Sequence, residues 1–313
     1  YGWASAGRFH HAQSQIHRFL NCLGGYTKSV NTYSYAAAEV ILPHVIGANA
    51  AKIMTQQTSW SSIVNNAKLM VSFGGFPTGN SQISNGGVSD HIQVDFLRQA
   101  SSKGISLISI APHQSIVDKA EQIEWIKARP NSDTALILGI CHTLLQESLY
   151  NINFLKKFTV GYEKFFQYLT GQSDGVIKNA DWAEQLSGVS SSEIMSLARK
   201  MANTPTMLSI TWSLTRQENG EQAYWAVIAL AAMLGQMGKP GLGVGFGYTV
   251  SNYLGNNVRQ LPFEALPQGK NKVDDFIPVA RLTDMLLNPG KSFDFNGEKK
   301  VYPKIPLVLI KLT

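Results

Sequence analysis

Short apolar runs alternate with stretches of helical spacing between about residues 60 and 240. Leu69-Met70-Val71-Ser72-Phe73 is one such run, and it ends in Gly74-Gly75. A continuous apolar run of this length bounded by glycine predicts a strand buried on both faces, followed by a turn that can face a ligand. Residues 91–100 have helical spacing, and Ile105 to Ile110 is the next strand, stopped by Pro112. Strand, helix and strand at this distance make a βαβ unit. A third strand is expected at Glu124-Trp125-Ile126 and a helix from Thr134 to Gln146, with Ser132 or Asp133 as its cap. Ser190 and Glu193 have capping-box spacing ahead of a helix whose apolar face is Ile194, Leu197, Ala198 and Met201. Met207 to Ile210 is a further strand, and Glu221 to Gln236 a helix apolar on nearly every side.

This alternation predicts an α/β fold with a mostly parallel sheet and flanking helices, of the dinucleotide-binding type. Ligands of such sheets bind beyond the C-terminal ends of the strands. The loops of interest are those after Phe73, Ile110, Ile126 and Ile210.

The flanks read differently. Residues 1–50 hold a helical stretch (His10–Leu20), a Gly24-Gly25 turn and a segment around Ser34 that leads into a helix. They are expected to be part of a second, discontinuous α/β domain, with 51–247 as the sheet domain and 248–313 as the return to the first. Tyr248 to Asp274 is a polar, Gly/Asn-rich loop long enough to cover a site. Residues 275–287 are expected to be helical, Asn296-Gly297 to turn a hairpin, and Pro306 to Ile310 to start a strand. The glycines of Gly241-Leu242-Gly243-Val244-Gly245-Phe246-Gly247 follow a helix, so they are no Rossmann fingerprint. They fit helix termination or close backbone approach to a ligand.

Composition narrows the classes. The chain has 313 residues, 44% of them hydrophobic and 15% charged, which is the balance of a folded protein. The net charge of +6 is scattered, with no Lys/Arg run denser than Lys299-Lys300. It therefore reads as a solvated surface or as cations facing nucleotide phosphates, not as a nucleic-acid interface. Two cysteines, Cys22 and Cys141, exclude a disulfide scaffold and a four-cysteine iron–sulfur cluster, and both are expected as buried thiols. No apolar run is long enough to span a membrane. His10 and His17 share a helical face without a third ligand in view, so they read as ordinary histidines.

Several segments carry chemistry together. Tyr1-Gly2-Trp3 opens the chain, and Asn31-Thr32-Tyr33-Ser34-Tyr35-Ala36-Ala37-Ala38 follows. Further on come Arg129-Pro130-Asn131-Ser132-Asp133-Thr134-Ala135-Leu136, Trp212-Ser213-Leu214-Thr215-Arg216 with Gly220-Glu221-Gln222, and Gly235-Gln236-Met237-Gly238-Lys239-Pro240-Gly241. Taken singly, Ser34 reads as a helix cap, Tyr1 and Trp3 as core or interface aromatics, and Arg216 as a surface salt-bridge partner. In collinear order these segments resemble the dimethyl sulfoxide reductase family of molybdopterin oxidoreductases. Within it, the similarity is greatest to the group that reduces biotin sulfoxide, methionine sulfoxide and trimethylamine N-oxide.

The resemblance implies a molybdenum bis(molybdopterin guanine dinucleotide) cofactor and oxygen-atom transfer from an S-oxide or N-oxide. Ser34 would be the molybdenum ligand, with Trp3 and Tyr1 at the catalytic centre and Tyr1 tipping the choice towards S-oxides. Trp3, Gln114, Ser115, Ser132, Asp133, Trp212, Ser213 and Arg216 would bind the cofactor. The Asp133 carboxylate suits the N–H donors of guanine, and the Arg216 guanidinium suits the pyrophosphate. A c-type cytochrome or other reductant would supply electrons, and the compartment, periplasmic or cytoplasmic, is left open. The chain is expected to be the central piece of a longer protein and not to assemble a competent centre alone. Tyr35 is larger than the family's Thr, and Phe76-Pro77 and Ala111-Pro112-His113-Gln114-Ser115 stand where the family tends to have Asn or Asp before the proline. These departures keep a second reading open: an inactive remnant acting at most as a nucleotide-binding module.

Overall fold

In the computed structural model, which describes residues 7–81, 91–256 and 264–304, the strands in chain order are β1 (Lys28–Val30), β2 (Leu69–Phe73), β3 (Ser106–Ala111), β4 (Glu124–Lys127), β5 (Thr206–Ile210), β6 (Gly243–Phe246), β7 (Phe276–Pro278), β8 (Ser292–Phe295) and β9 (Glu298–Val301). The middle five form one sheet in the order β4-β3-β2-β5-β6, every neighbouring pair parallel. All five residues of β2 and of β5 are buried, as expected for strands covered on both faces. The chain moves outward from β2 to β4, then returns to lay β5 on the other side of β2. The strand order therefore reverses between β2 and β5.

Helices cover both faces. On one, Met70, Leu107 and Met207 of the sheet pack with Trp60, Ile63 and Val64 of the helix Trp60–Asn66 and with Leu97 and Ala100 of the helix Gln93–Ser102. The helix Gly220–Leu234 lies against β5 and β6. It is buried at eleven positions including Tyr224, whose ring stacks on Phe246 at 5.5 Å. The helix Asp133–Gln146 packs on it and on the helices Ala180–Ser187 and Ser191–Ala202. Ser190 caps the last of these by accepting from the Glu193 N–H, and the expected face Ile194, Leu197, Ala198 and Met201 is the buried one.

The chain divides into two compact units, one of residues 37–83 and 89–258, which holds this sheet, and one of residues 1–36, 84–88 and 259–313. In the second unit β1 pairs in parallel with β7, from Lys28↔Phe276 to Val30↔Pro278. Asn271 extends that pairing, accepting from the Tyr26 N–H and donating to the Tyr26 carbonyl. The β8–β9 hairpin turns at Asn296 (φ 50°) and Gly297 (φ 82°), the left-handed pair that a two-residue turn demands. Phe293 stacks on Tyr302 at 4.4 Å and forms a small core with Ile277 and Met285.

Several expectations need correction. Ser132 does not cap the helix Asp133–Gln146: its backbone (φ −107°, ψ 2°) is not extended, and its hydroxyl donates to the Arg129 carbonyl at 2.6 Å. The stretch His10–Leu20 is broken at His11 into Gly7–His10 and Ala12–Cys22. Residues 275–287 hold β7, a 3₁₀ turn and only a short helix, Leu282–Leu287, because Pro278 stops a helix from running through. The glycine run 241–247 contains the edge strand β6, not simply a helix terminus. Cys22 is exposed, and only Cys141 is buried. Among the described residues no group of three His, Cys, Asp or Glu could hold a metal ion, and no helix is long and apolar enough to cross a membrane. The strand expected at 306–310 lies outside the described residues.

Gly139 sits inside a buried helix where alanine would ordinarily be preferred. A Cβ there would lie 2.5 Å from the Ala183 Cβ. Gly139→Ala, which at an open helix site would stabilise by about 1 kcal/mol, is therefore expected to destabilise by about 1–3 kcal/mol, read as a lower midpoint in urea denaturation.

Candidate functional site

The C-terminal ends of four of the five parallel strands are laced together by backbone bonds. The Gly74 N–H donates to the Ile110 carbonyl (2.8 Å), the Thr211 N–H to that of Phe73 (2.9 Å) and the Gly247 N–H to that of Ile210 (2.8 Å). Each bond carries the pairing one residue past its strand, so the loops after β2, β3, β5 and β6 start side by side. Gly74 has φ 87°, and a Cβ on it would lie 2.0 Å from Thr211 Oγ1. Gly247 has φ 82°, and a Cβ on it would lie 2.3 Å from Trp212 Nε1. Both positions require glycine for conformation and for space. The closest approach falls where the strand order reverses, the place where open α/β sheets bind ligands.

Seven of the residues singled out in the sequence lie in the loops that follow these strands. After β5, Trp212 is buried in a 3₁₀ turn, Trp212–Thr215, while Ser213 and Arg216 are exposed. Ser213 Oγ bonds Thr211 Oγ1 at 2.7 Å. Tyr224 anchors the loop from below, its hydroxyl donating to the Thr211 carbonyl at 3.1 Å. Burial raises the Tyr224 phenol pKa far above its ordinary value, so it stays a neutral donor. After β3, Gln114 is exposed. Ser115 caps the helix Ile116–Ala120 in a reciprocal box with Asp118: its hydroxyl accepts from the Asp118 N–H at 3.1 Å, and its own N–H donates to Asp118 Oδ2 at 2.9 Å.

After β4, Arg129 is turned to the C-terminal end of the helix Ala180–Ser187, donating to the Gln185 carbonyl at 2.7 Å, where a cation meets the negative helix terminus. Ser132 is buried with its hydroxyl committed to the Arg129 carbonyl. Asp133 is 8% exposed at the first turn of its helix. Desolvation raises its carboxyl pKa from 3.8 to about 6, opposed only by a bond from its own backbone N–H.

Ser34 belongs to the other unit. It lies in the turn before the helix Ala36–Val45, half-buried, and its N–H donates to Thr32 Oγ1 at 3.2 Å. Thr32 thus closes a local turn ahead of the helix, and the Ser34 hydroxyl itself caps no helical N–H among the described residues. Tyr1 and Trp3 lie outside the described residues.

The two departures from the family pattern have structural counterparts. Phe76 is 1% exposed and packed in the core with Trp60 and Tyr248, so its ring offers no polar group to a ligand. The Ala111 carbonyl accepts from Trp125 Nε1 at 2.9 Å, which occupies the polar group at that strand end. The sequence reading placed Gly74 in a ligand-facing turn and left Gly247 between helix termination and close backbone approach; it missed Thr211. The signal for the glycines was there, a glycine directly after each buried strand, but the close approach that requires them exists only once β2, β5 and β6 are aligned.

A guanine dinucleotide needs acceptors for its base N–H groups and a cation for its pyrophosphate. Asp133 is a desolvated acceptor, Arg216 an exposed cation, and Ser213 a hydroxyl donor in the same turn as Arg216. The donor set fits that group.

Comparison with known proteins agrees. The family model for molybdopterin oxidoreductases matches residues 1–305. Biotin sulfoxide reductase from Cereibacter sphaeroides is 39% identical over 98% of this chain and 41% of its own length. The dimethyl sulfoxide/trimethylamine N-oxide reductase of the same organism is 38% identical over 98% of this chain and 38% of that protein. Trimethylamine-N-oxide reductase from Haemophilus influenzae is 36% identical with the same coverage. This chain thus spans about two fifths of the length of these relatives. Among solved structures, acetylene hydratase from Pelobacter acetylenicus shares the fold, with a TM-score of 0.52 and 23% identity over 72% of this chain and 28% of that one. The chain belongs to the molybdopterin oxidoreductase family.

Proposed function

We propose that the chain is the nucleotide-holding middle of a molybdenum enzyme that reduces S-oxides or N-oxides at a bis(molybdopterin guanine dinucleotide) cofactor. What supports the reading is that Asp133 follows β4, and Trp212, Ser213 and Arg216 follow β5, all beyond the C-terminal ends of the parallel strands, in a chain 39% identical to a biotin sulfoxide reductase. When bound, the cofactor supplies the two-electron, oxygen-accepting chemistry. The chain's own residues bind and orient. Asp133 accepts from the guanine N–H groups, Arg216 grips the pyrophosphate, and Ser213 donates to a phosphate oxygen. Gln114 and Ser115 extend the site along the β3 loop, Ser34 is the oxygen ligand for the metal, and Trp3 and Tyr1 hold the substrate's oxygen. Electrons come from a c-type cytochrome or a similar reductant.

The reading without catalysis, a nucleotide-binding module, is favoured by two observations: Phe76 is packed in the core, and the Ala111 side chain is only a methyl group, its carbonyl already accepting from Trp125. Metal and guanine analysis of the chain purified from an anaerobic host that makes the cofactor separates the two. About one molybdenum and two guanines per chain supports a working centre. Guanine with little molybdenum supports the module, and neither would count against both readings.

Asp133 gives two linked predictions. Its folded pKa lies above its ordinary value, so ionising it opposes folding; that cost is absent below about pH 4 and complete above about pH 7. Asp133→Asn is expected to be more stable than the wild type by up to about 3 kcal/mol at pH 8, with the difference closing towards pH 4 in urea titrations. The same variant should bind GDP about tenfold or more weakly at pH 7.5, and should lack the weakening of GDP binding expected of the wild type as pH falls through about 6. Arg216→Ala is expected to weaken GDP about tenfold while leaving guanosine unchanged, measured by calorimetry. Equal losses for both ligands would remove Arg216 from the phosphate site.

A further inference from the structure

Gln93 is a fully buried glutamine whose amide is satisfied on every side. Its Oε1 accepts from Trp60 Nε1 (2.7 Å) and from the Thr249 N–H (3.3 Å). Its Nε2 donates to the carbonyls of Asn252 (2.7 Å) and Leu254 (3.0 Å). Two acceptor directions and two donor hydrogens are the whole capacity of an amide side chain, and all four are used on one helix and one loop. The neighbouring Ile92 N–H reaches the same loop, donating to Asn252 Oδ1 at 3.2 Å.

The loop held in this way follows β6 at the ligand edge of the sheet. It begins at Gly247, whose backbone lies against the Trp212 indole. Thr249 is buried with φ 67°, a left-handed conformation that a β-branched residue adopts only under constraint. Without Gln93 the Thr249 N–H and two loop carbonyls would be buried and unpaired, and the strained turn would relax. Two further buried atoms of the loop, Thr249 Oγ1 and Asn252 Nδ2, find no partner in the described chain, as groups that meet a bound molecule do.

We infer that Gln93 is a positioning residue for nucleotide binding: it fixes residues 247–254, and with them the backbone that sets Trp212, where the strand order reverses. This rests on the guanine-dinucleotide reading given above. Gln93 touches no ligand itself and acts through Thr249, Asn252 and Leu254.

The test uses the whole chain with Gln93→Met and Gln93→Glu, reading hydrogen exchange of residues 247–254 and GDP affinity, each as a ratio to the wild type at the same pH. Gln93→Met is expected to speed exchange of the segment by about tenfold or more and to weaken GDP about tenfold, with β2, β3 and β5 as protected as before. Gln93→Glu should match it only above about pH 9, once the buried acid, whose pKa desolvation and the two facing carbonyls raise, has ionised. It should recover towards the wild type at pH 5.5, where the protonated acid donates again. A merely structural glutamine would give no such recovery in the GDP ratio. Unchanged segment exchange in Gln93→Met would overturn the inference, as would a loosened segment with unchanged GDP affinity. A wild type that binds no GDP while Gln93→Met still loosens the segment would sink the nucleotide reading and this inference with it, leaving Gln93 a loop anchor only.

Discussion

The ligand edge of the sheet depends on one absent side chain. A Cβ at Gly74 would end 2.0 Å from Thr211 Oγ1, and the backbone there has φ 87°. Because it is glycine, the chain leaving β2 and the chain leaving β5 run in contact, and the Thr211 N–H still reaches the Phe73 carbonyl. That contact sets the start of the 3₁₀ turn that carries Trp212, Ser213 and Arg216. Tyr224 from the helix beneath and Gly247 from the strand beyond fix the same turn from two other sides. The position of the arginine proposed for the pyrophosphate is thus set by backbone geometry, including its own N–H donating to the Ser213 carbonyl.

Burial then divides the edge residues by role. The Ser132 hydroxyl donates its hydrogen to a carbonyl of the protein, while the Ser115 hydroxyl accepts at a helix cap and keeps its own hydrogen to donate. Asp133 is desolvated without a cationic partner, a costly state that a structural carboxylate would avoid and that a ligand with N–H donors would relieve. Gln93 is the opposite case, a polar group with every bond made inside the fold. A satisfied buried amide rigidifies what it touches, which is why it suits a holding part and not a ligand contact.

Much of the sheet was legible in the residues. Leu69–Phe73 and Met207–Ile210 read as buried strands because they are buried on both faces, and Ile194, Leu197, Ala198 and Met201 marked the covered face of their helix. Asn296-Gly297 named its turn by backbone preference alone. The strand β6 was not legible, because its glycines answer to distant partners: a Cβ on Gly245 would lie 2.3 Å from the Tyr248 ring. The pairing of β1 with β7 escaped too, since each is three residues long and they are far apart in the chain. At the candidate site, Asp133, Trp212 and Arg216 stood out by resemblance to a family pattern. Gln93 did not, since nothing in its own segment says that Trp60 and Asn252 converge on it.

The pairing of Lys28 with Phe276 has a consequence for how the molecule is made. On the ribosome, β1 emerges before the parallel sheet and must wait, unpaired, while that whole sheet is synthesised. The sheet's centre is itself delayed, because β2 is covered on its second edge only when β5 appears. Of the two units, the one begun first is therefore completed last, and strand edges stay open until β5 and β7 have been made. Such edges invite pairing with other nascent chains. Production of this protein should therefore respond to translation speed and to chaperones that shield extended segments, more than its stability once folded would suggest.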